Sequence, residues 1–297
     1  MTLLKFRRDP APLPSADVTA FLRGASIEVT PKTAAKIADF GALLPRGTCV
    51  AIAHIGDAPI DDMVATAARL RRDGMEPVPH LPARAIRDRA TLTDWLARYR
   101  GEAGVACALL LAGAAARPSG DFASSMDLLD TGLFGDFRHI FVAGHPEGNR
   151  DIDPDGGEAA VMSALHWKAD FAARSDAAMA ILTQFVFDAA PVIAWARRLE
   201  AEGVGLPVHV GIAGPAKLQT LIRYAIACGV GPSLQVLQKR AQDVTKLLLP
   251  FAPDAVVADL ARHKAARPDS LIAGAHMFPL GGIAATAGWL EARRAPD

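Results

Sequence analysis

Short apolar runs recur along the chain without polar residues at every second position. Eight of them fall at residues 25–30, 49–55, 77–81, 105–112, 139–143, 180–185, 208–212 and 271–278. Unbroken apolarity over so few residues is what a strand buried on both faces requires. Between the runs lie longer segments whose apolar positions are spaced three and four residues apart, which predicts helices at 61–72, 92–100, 158–173, 191–202 and 216–227. Strand and helix in alternation predict a parallel sheet, and the count of eight predicts its closure into a single-domain (β/α)8 TIM barrel. An open doubly wound sheet would carry a glycine-rich phosphate turn after its first strand. Here Glu28 leads instead into Val29, Thr30, Pro31 and Lys32. Residues 1–20 read as a proline-rich arm, residues 21–297 as the barrel domain, and residues 231–267 as an extra helical segment before the last strand.

Composition narrows the partners. The 32 basic residues balance the 32 acidic ones, so there is no field to draw in nucleic acid or an anionic membrane, and a small-molecule ligand is expected. The longest apolar run, residues 105–116, is too short to span a bilayer. Cys49, Cys107 and Cys228 are far apart in sequence, which predicts free thiols and a reducing, cytoplasmic setting. The N-terminus lacks the order of charge, apolar core and cleavage site that marks a secretory leader. Assembly into a homo-oligomer is compatible with all of this.

In a barrel of this kind the site is built at the carboxyl ends of the strands. Those ends carry Glu28 on the first strand, His54 with Gly56 and Asp57 after the second, and His80 on the third. The fifth is followed by His145 and Glu147, and the sixth offers Thr183, Gln184 and Asp188. Glu28 sits in an apolar run, where a carboxylate is costly to bury unless it faces a polar pocket or a partner. A carboxyl held there can act as a general acid. An ion pair with a lysine or arginine of a neighbouring loop accounts for it equally well. His54, His80 and His145 have neither helical ligand spacing nor a companion cysteine, so no metal site is predicted. Arg84, Arg87 and Arg89 can be read as a grip for ligand carboxylates, or more simply as a solvated helix face.

The run Ile181-Leu182-Thr183-Gln184-Phe185-Val186-Phe187-Asp188 resembles the most distinctive motif of the methylenetetrahydrofolate reductases, an apolar strand ending in Thr-Gln followed by aromatics and Asp. In matching order, Ser26-Ile27-Glu28 is similar to that family's Ser-Phe-Glu and Pro79-His80-Leu81 to its Pro-His-Leu. His145-Pro146-Glu147-Gly148 is similar to its Tyr-Pro-Glu-Gly, Val210-Gly211-Ile212 to its Pro-Gly-Ile, and His276-Met277-Phe278-Pro279-Leu280 to its His-Phe-Tyr-Thr-Leu. The resemblance covers about residues 20–292. It implies a (β/α)8 barrel that reduces 5,10-methylenetetrahydrofolate with NADH or NADPH. It makes Glu28 the catalytic general acid, puts Gln184 and His80 against the folate, and has Asp188 shape the strand-end loop or the folate contacts. It puts His54, Gly113, His145 and Gly211 where the family holds its cofactor.

The departures from the family pattern gather on the flavin. The family carries FAD and ends its fourth strand in Arg-Gly-Asp, where this chain has Ala112-Gly113-Ala114. Its Thr-Tyr-Gly after the second strand is Ala53-His54-Ile55-Gly56, and the arginine of its last strand is Gly282. For the family's lysine before the sixth strand the nearest counterpart by sequence is Arg174. These changes imply direct hydride transfer from nicotinamide to folate without flavin, in either direction of net flux. A pterin-dependent methyltransferase and a non-catalytic folate-binding protein are the other readings, although the separated cysteines supply no zinc-thiolate cluster for the first.

Overall fold

A computed structural model of the chain describes residues 15–228 and 251–294. Eight parallel strands close on themselves in chain order: β1 Ser26–Val29, β2 Cys49–Ile52, β3 Glu76–Pro82, β4 Cys107–Leu111, β5 His139–Gly144, β6 Ala178–Val186, β7 Val208–Ala213 and β8 Ile272–Phe278. The (β/α)8 barrel read from the pattern is therefore the fold, and all eight expected strands are present, with no end displaced by more than three residues. The helices are α1 Ala16–Leu22, α2 Pro31–Ala34, α3 Ile60–Arg72, α4 Arg89–Ala103, α5 Ser125–Asp130, α6 Ala159–Ala173, α7 Ala189–Ala201, α8 Leu218–Ala227, α9 Asp254–Ala266 and α10 Ile283–Glu291. Helix α1 begins inside the expected arm, and Val18, within the arm, packs against the core beside the buried Phe21 and Leu22. Of the extra helical segment, α9 is described, while residues 229–250 lie outside the described residues.

The outward faces of the strands and the inward stripes of the helices form one apolar cluster that includes Ile27, Val50, Leu81, Leu110, Val142, Ile181 and Val210. Inside the barrel, alternate strands contribute side chains at the same height. The strand register gives three layers of four: Glu28, His80, Ala143 and Gly211 uppermost, then Ala51, Leu109, Leu182 and His276, then Ser26, Val78, Phe141 and His209. Below them Glu76 takes two hydrogen bonds from Arg71, at 2.6 and 3.1 Å, and one of 2.9 Å from Arg138. That ion cluster closes the amino end of the barrel. Burial alone would raise the Glu76 pKa, but the two guanidinium partners outweigh it and hold it below the usual carboxylate value.

Strand β3 contains Pro77, Pro79 and Pro82 yet is buried along its whole length. Proline has no N–H to donate to a ladder. Pairing with β2 runs over Glu76 to Pro79, whereas pairing with β4 begins only at His80. The last three residues of β3 are thus held at the mouth by β4, and His80 stands where that support begins.

Candidate active site

Glu28 points into the barrel at its carboxyl mouth and keeps 19% of its side chain exposed. Two imidazoles face the same carboxylate oxygen: His80 Nε2 at 3.4 Å and His276 Nε2 at 3.9 Å from Oε2. Both nitrogens are sealed from solvent without a hydrogen bond, as is Nε2 of His54. His276 is fixed from behind by Ser26, whose Oγ lies 2.8 Å from Nδ1. If that hydroxyl donates, the ring proton sits on Nε2 and points at Glu28. Burial pushes the His80 pKa down to about 4; the Glu28 charge opposes this, and His276 and His54 add to it. His80 is therefore a neutral imidazole at pH 7. His54 is also pushed down by burial and stacks on Trp95, with ring centroids 5.7 Å apart.

The ion-pair reading of Glu28 named a lysine or arginine as its partner. Among the described residues Glu28 meets histidines instead, so the carboxylate is held in a polar pocket. His276 was legible only as part of a motif, and its role beside Glu28 follows from the pairing of β8 with β1 at Ser26.

The opposite half of the uppermost layer is nearly empty of side chains, because β5 and β7 supply Ala143 and Gly211 there. Gly211 has a second role. A Cβ on it would lie 2.4 Å from the Thr183 carbonyl oxygen and 2.7 Å from that of Gln184, so glycine permits the irregular register of β6 against β7 between Leu182 and Phe185. Thr183 Oγ1 accepts the Gly211 N–H at 2.8 Å and donates to the Gln184 carbonyl at 2.9 Å. Gln184 lies half-buried on this bulge, with Oε1 accepting the Phe185 N–H at 3.1 Å. Its side-chain nitrogen has no partner among the described residues.

Other expected residues have structural duties. Asp188 is exposed and caps α7, accepting the Ala190 N–H at 3.0 Å. Gly113 follows β4 with φ +92°, and a Cβ there would meet Pro82 at 2.9 Å. Arg84 is tied to the carbonyls of Ala115 and Ala123, Arg87 to Asp88, and Arg89 to the Thr131 carbonyl; only Arg89 lies on α4, Arg84 being in a short turn after β3 and Arg87 just before the helix.

His145 stands after β5, 3.4 Å from the Asn149 amide, and burial together with nearby Lys168 pushes its pKa down to about 4. Arg174 sits at the far end of α6, bonded to the Asp170 carbonyl. The buried cation of that helix is Lys168, 6% exposed, on the inward stripe with Val161, Met162 and Leu165. Sequence reading passed over it. Its signal was a cation at a position where the helical period calls for an apolar residue.

Among the described residues no group of three or more His, Cys, Asp and Glu side chains is arranged to hold a metal ion, and no helix is long and apolar enough to cross a membrane. Cys49 and Cys107 lie at the barrel strands and Cys228 at the end of α8, all as free thiols.

No family model matches the chain. Among solved structures, an uncharacterized protein from Clostridium thermocellum that binds two copies of 5-methyl-5,6,7,8-tetrahydrofolic acid superposes with a TM-score of 0.55 at 10% sequence identity. The match covers 92% of this chain and 96% of that one. At this identity the likeness is one of fold.

Proposed function

We propose that this chain binds a reduced folate at the mouth of the barrel and reduces 5,10-methylenetetrahydrofolate to 5-methyltetrahydrofolate with NADH or NADPH, Glu28 serving as general acid. The observation that carries this reading is the uppermost layer of the barrel. It sets a carboxyl group and a neutral imidazole across from Ala143 and Gly211, which place almost no side chain in their half of the layer, and Gln184 follows on the β6 bulge beside Gly211. The folate bound by the Clostridium thermocellum protein, whose fold is similar, supports the choice of ligand class.

Of the two nitrogens joined by the bridging methylene, Glu28 protonates N10. The N10–methylene bond then breaks, opening the five-membered ring to a 5-iminium cation that can accept hydride at the methylene carbon. Bound NADH or NADPH would supply that hydride. His276, oriented by Ser26, faces the carboxyl from one side and His80 from the other. Because His80 is neutral, it positions the carboxyl without competing as the acid. Phe278 packs edge-on against His276 with ring centroids 5.0 Å apart and helps keep water from the carboxyl. In the reverse direction Glu28 accepts the proton it gave.

The residues present do not fit the family's flavin. The end of β4 offers only Ala112, Gly113 and Ala114, and the Gly113 backbone is packed on Pro82. The proposed transfer is therefore direct. Purified protein is expected to be colourless in the visible range and to oxidise NADH or NADPH in the presence of 5,10-methylenetetrahydrofolate with no flavin added. A yellow protein with stoichiometric FAD would overturn direct transfer, and no turnover with or without FAD would overturn the reductase reading. The second reading is a folate-binding protein without catalysis, favoured by the reduced-folate complex of the Clostridium thermocellum protein, and it predicts folate affinity with no NADH oxidation.

A further inference from the structure

We propose that the proton Glu28 gives up is replaced from the amino end of the barrel, along an interior stripe of polar side chains that starts at His209 and passes Ser26 and His276. The inference deepens the reading of Glu28 as general acid and rests on it.

His209, Ser26, His276 and Glu28 sit on the adjacent strands β7, β8 and β1 and all face the barrel interior. His209 and Ser26 belong to the lowest layer, His276 to the middle one and Glu28 to the uppermost, so together they cross the interior from the amino end to the mouth. Polar groups are costly in such a place, where the other strands supply mostly apolar side chains, and the cost calls for a function.

His209 is partly exposed, as is His139 at the start of β5. The layer above, Ala51, Leu109, Leu182 and His276, is buried throughout, so the solvent that reaches His209 comes from the amino end. The His209 ring lies over Gly274, its partner on β8, where a Cβ would stand 3.7 Å from Nδ1. Phe141 packs on both lower imidazoles, with ring centroids 5.4 Å from His209 and 4.3 Å from His139. Burial, with His139 and His276 nearby, pushes the His209 pKa down to about 4, so at rest the ring is neutral. A neutral imidazole accepts a proton at one nitrogen and releases one from the other.

A solvent acid at the amino end, hydronium or protonated buffer, gives its proton to one ring nitrogen of His209, and the other nitrogen releases its own toward Ser26. Ser26 and His209 flank β8 at Gly274, which sets no side chain between them, so one water can join them. Ser26 takes the incoming proton at Oγ and passes its hydroxyl hydrogen to His276 Nδ1, 2.8 Å away. His276 Nε2 gives its hydrogen to Glu28 Oε2, across a gap of 3.9 Å that must shorten by about 1 Å for the transfer. One proton enters, one carboxylate becomes a carboxyl group, and no residue on the way is left charged. The Ser26 hydroxyl then turns and His276 changes tautomer, which resets the path. A ligand over the mouth covers the exposed part of Glu28 and leaves this route open.

The test follows the ring N–H of His276 by NMR, with histidine labelled in nitrogen-15, and needs neither ligand nor turnover. In Glu28→Gln the mouth side loses its proton carrier, so exchange of the His276 proton with water depends on the amino end. Adding His209→Phe, which keeps a ring and removes its nitrogens, is expected to slow that exchange about 10-fold or more. Adding Gly274→Ala instead should slow it as well, because the methyl stands between His209 and Ser26 at ordinary contact distance. If His209→Phe does not fold, Gly274→Ala decides. A purely structural role would loosen the barrel and speed exchange, so the sign separates the two. Exchange no slower than in Glu28→Gln alone, in every variant that folds, overturns the path. Slowed exchange in a protein that oxidises no NADH would count against hydride transfer and not against the path.

Discussion

His80 Nε2 lies 3.4 Å from Glu28 Oε2, and on the other side of the same oxygen His276 Nε2 lies at 3.9 Å. The two imidazoles come from β3 and β8, the strands on either side of the β1–β2 pair, so the carboxyl is held by the closure of the barrel rather than by any one loop.

Glu28→Gln keeps the size and hydrogen-bonding capacity of the side chain and removes its acidity. Turnover of 5,10-methylenetetrahydrofolate is expected to fall by roughly 10²- to 10⁴-fold, while folate affinity, measured by equilibrium titration, changes little. Activity equal to wild type would remove Glu28 from the proton transfer.

Stability should fall on the acid side of neutrality. Burial pushes His80, His145 and His209 each down to about 4 from the ordinary imidazole value of 6.5. Between these values the unfolded chain binds protons that the folded chain does not, so the free energy of unfolding decreases as pH drops from about 6.5 to about 4. Urea unfolding at pH 7.5, 6 and 5 should show the midpoint falling stepwise, and a constant midpoint would contradict the burial of these rings. Lys168 has the same sign at higher pH. With a folded value of about 8 against 10.5, it makes stability rise through that window, and Lys168→Met should abolish the rise.

Gly211→Ala is predicted to lower stability by about 1–3 kcal/mol, because the added methyl overlaps backbone oxygens of Thr183 and Gln184 and not flexible side-chain ends. Folate affinity should fall with it, since Gln184 rides on the displaced bulge. Chemical denaturation and ligand titration of the one variant check both.

Glu76→Gln, at the opposite end of the barrel, should cost about 1.5–3 kcal/mol through its weakened bonds to Arg71 and Arg138. Folate affinity at the mouth should remain that of wild type, which thermal unfolding and the same ligand titration distinguish from the behaviour of Gly211→Ala.

The barrel was legible because its strands are apolar on both faces, and Glu28 and His80 stood out as polar residues interrupting those runs. The pairing of Glu28 with His276 was not legible, because their 248-residue separation is closed only by the β8–β1 register. Lys168 stayed hidden for another reason. Its helix reads as amphipathic whether a lysine snorkels outward or is buried, and only the packing of α6 decides. Asp188, a conspicuous acid at a strand end, uses its carboxylate to cap α7, in keeping with its reading as a residue that shapes the strand-end loop.

Strand β1 has four residues, with Ser26 and Glu28 turned inward and Ile27 and Val29 turned toward the helices. Side chains alternate with a period of two, so moving this strand by one position along its neighbours would exchange the two sets. Isoleucine and valine would then plug the mouth, and the carboxyl would be stranded against the apolar faces of the outer helices. A single-residue insertion or deletion in the short turn at Arg23 and Gly24, which joins α1 to β1, would, if the strand took up the shift, displace the Glu28 carboxyl from the mouth and unseat the wall of the barrel at once, although it touches neither.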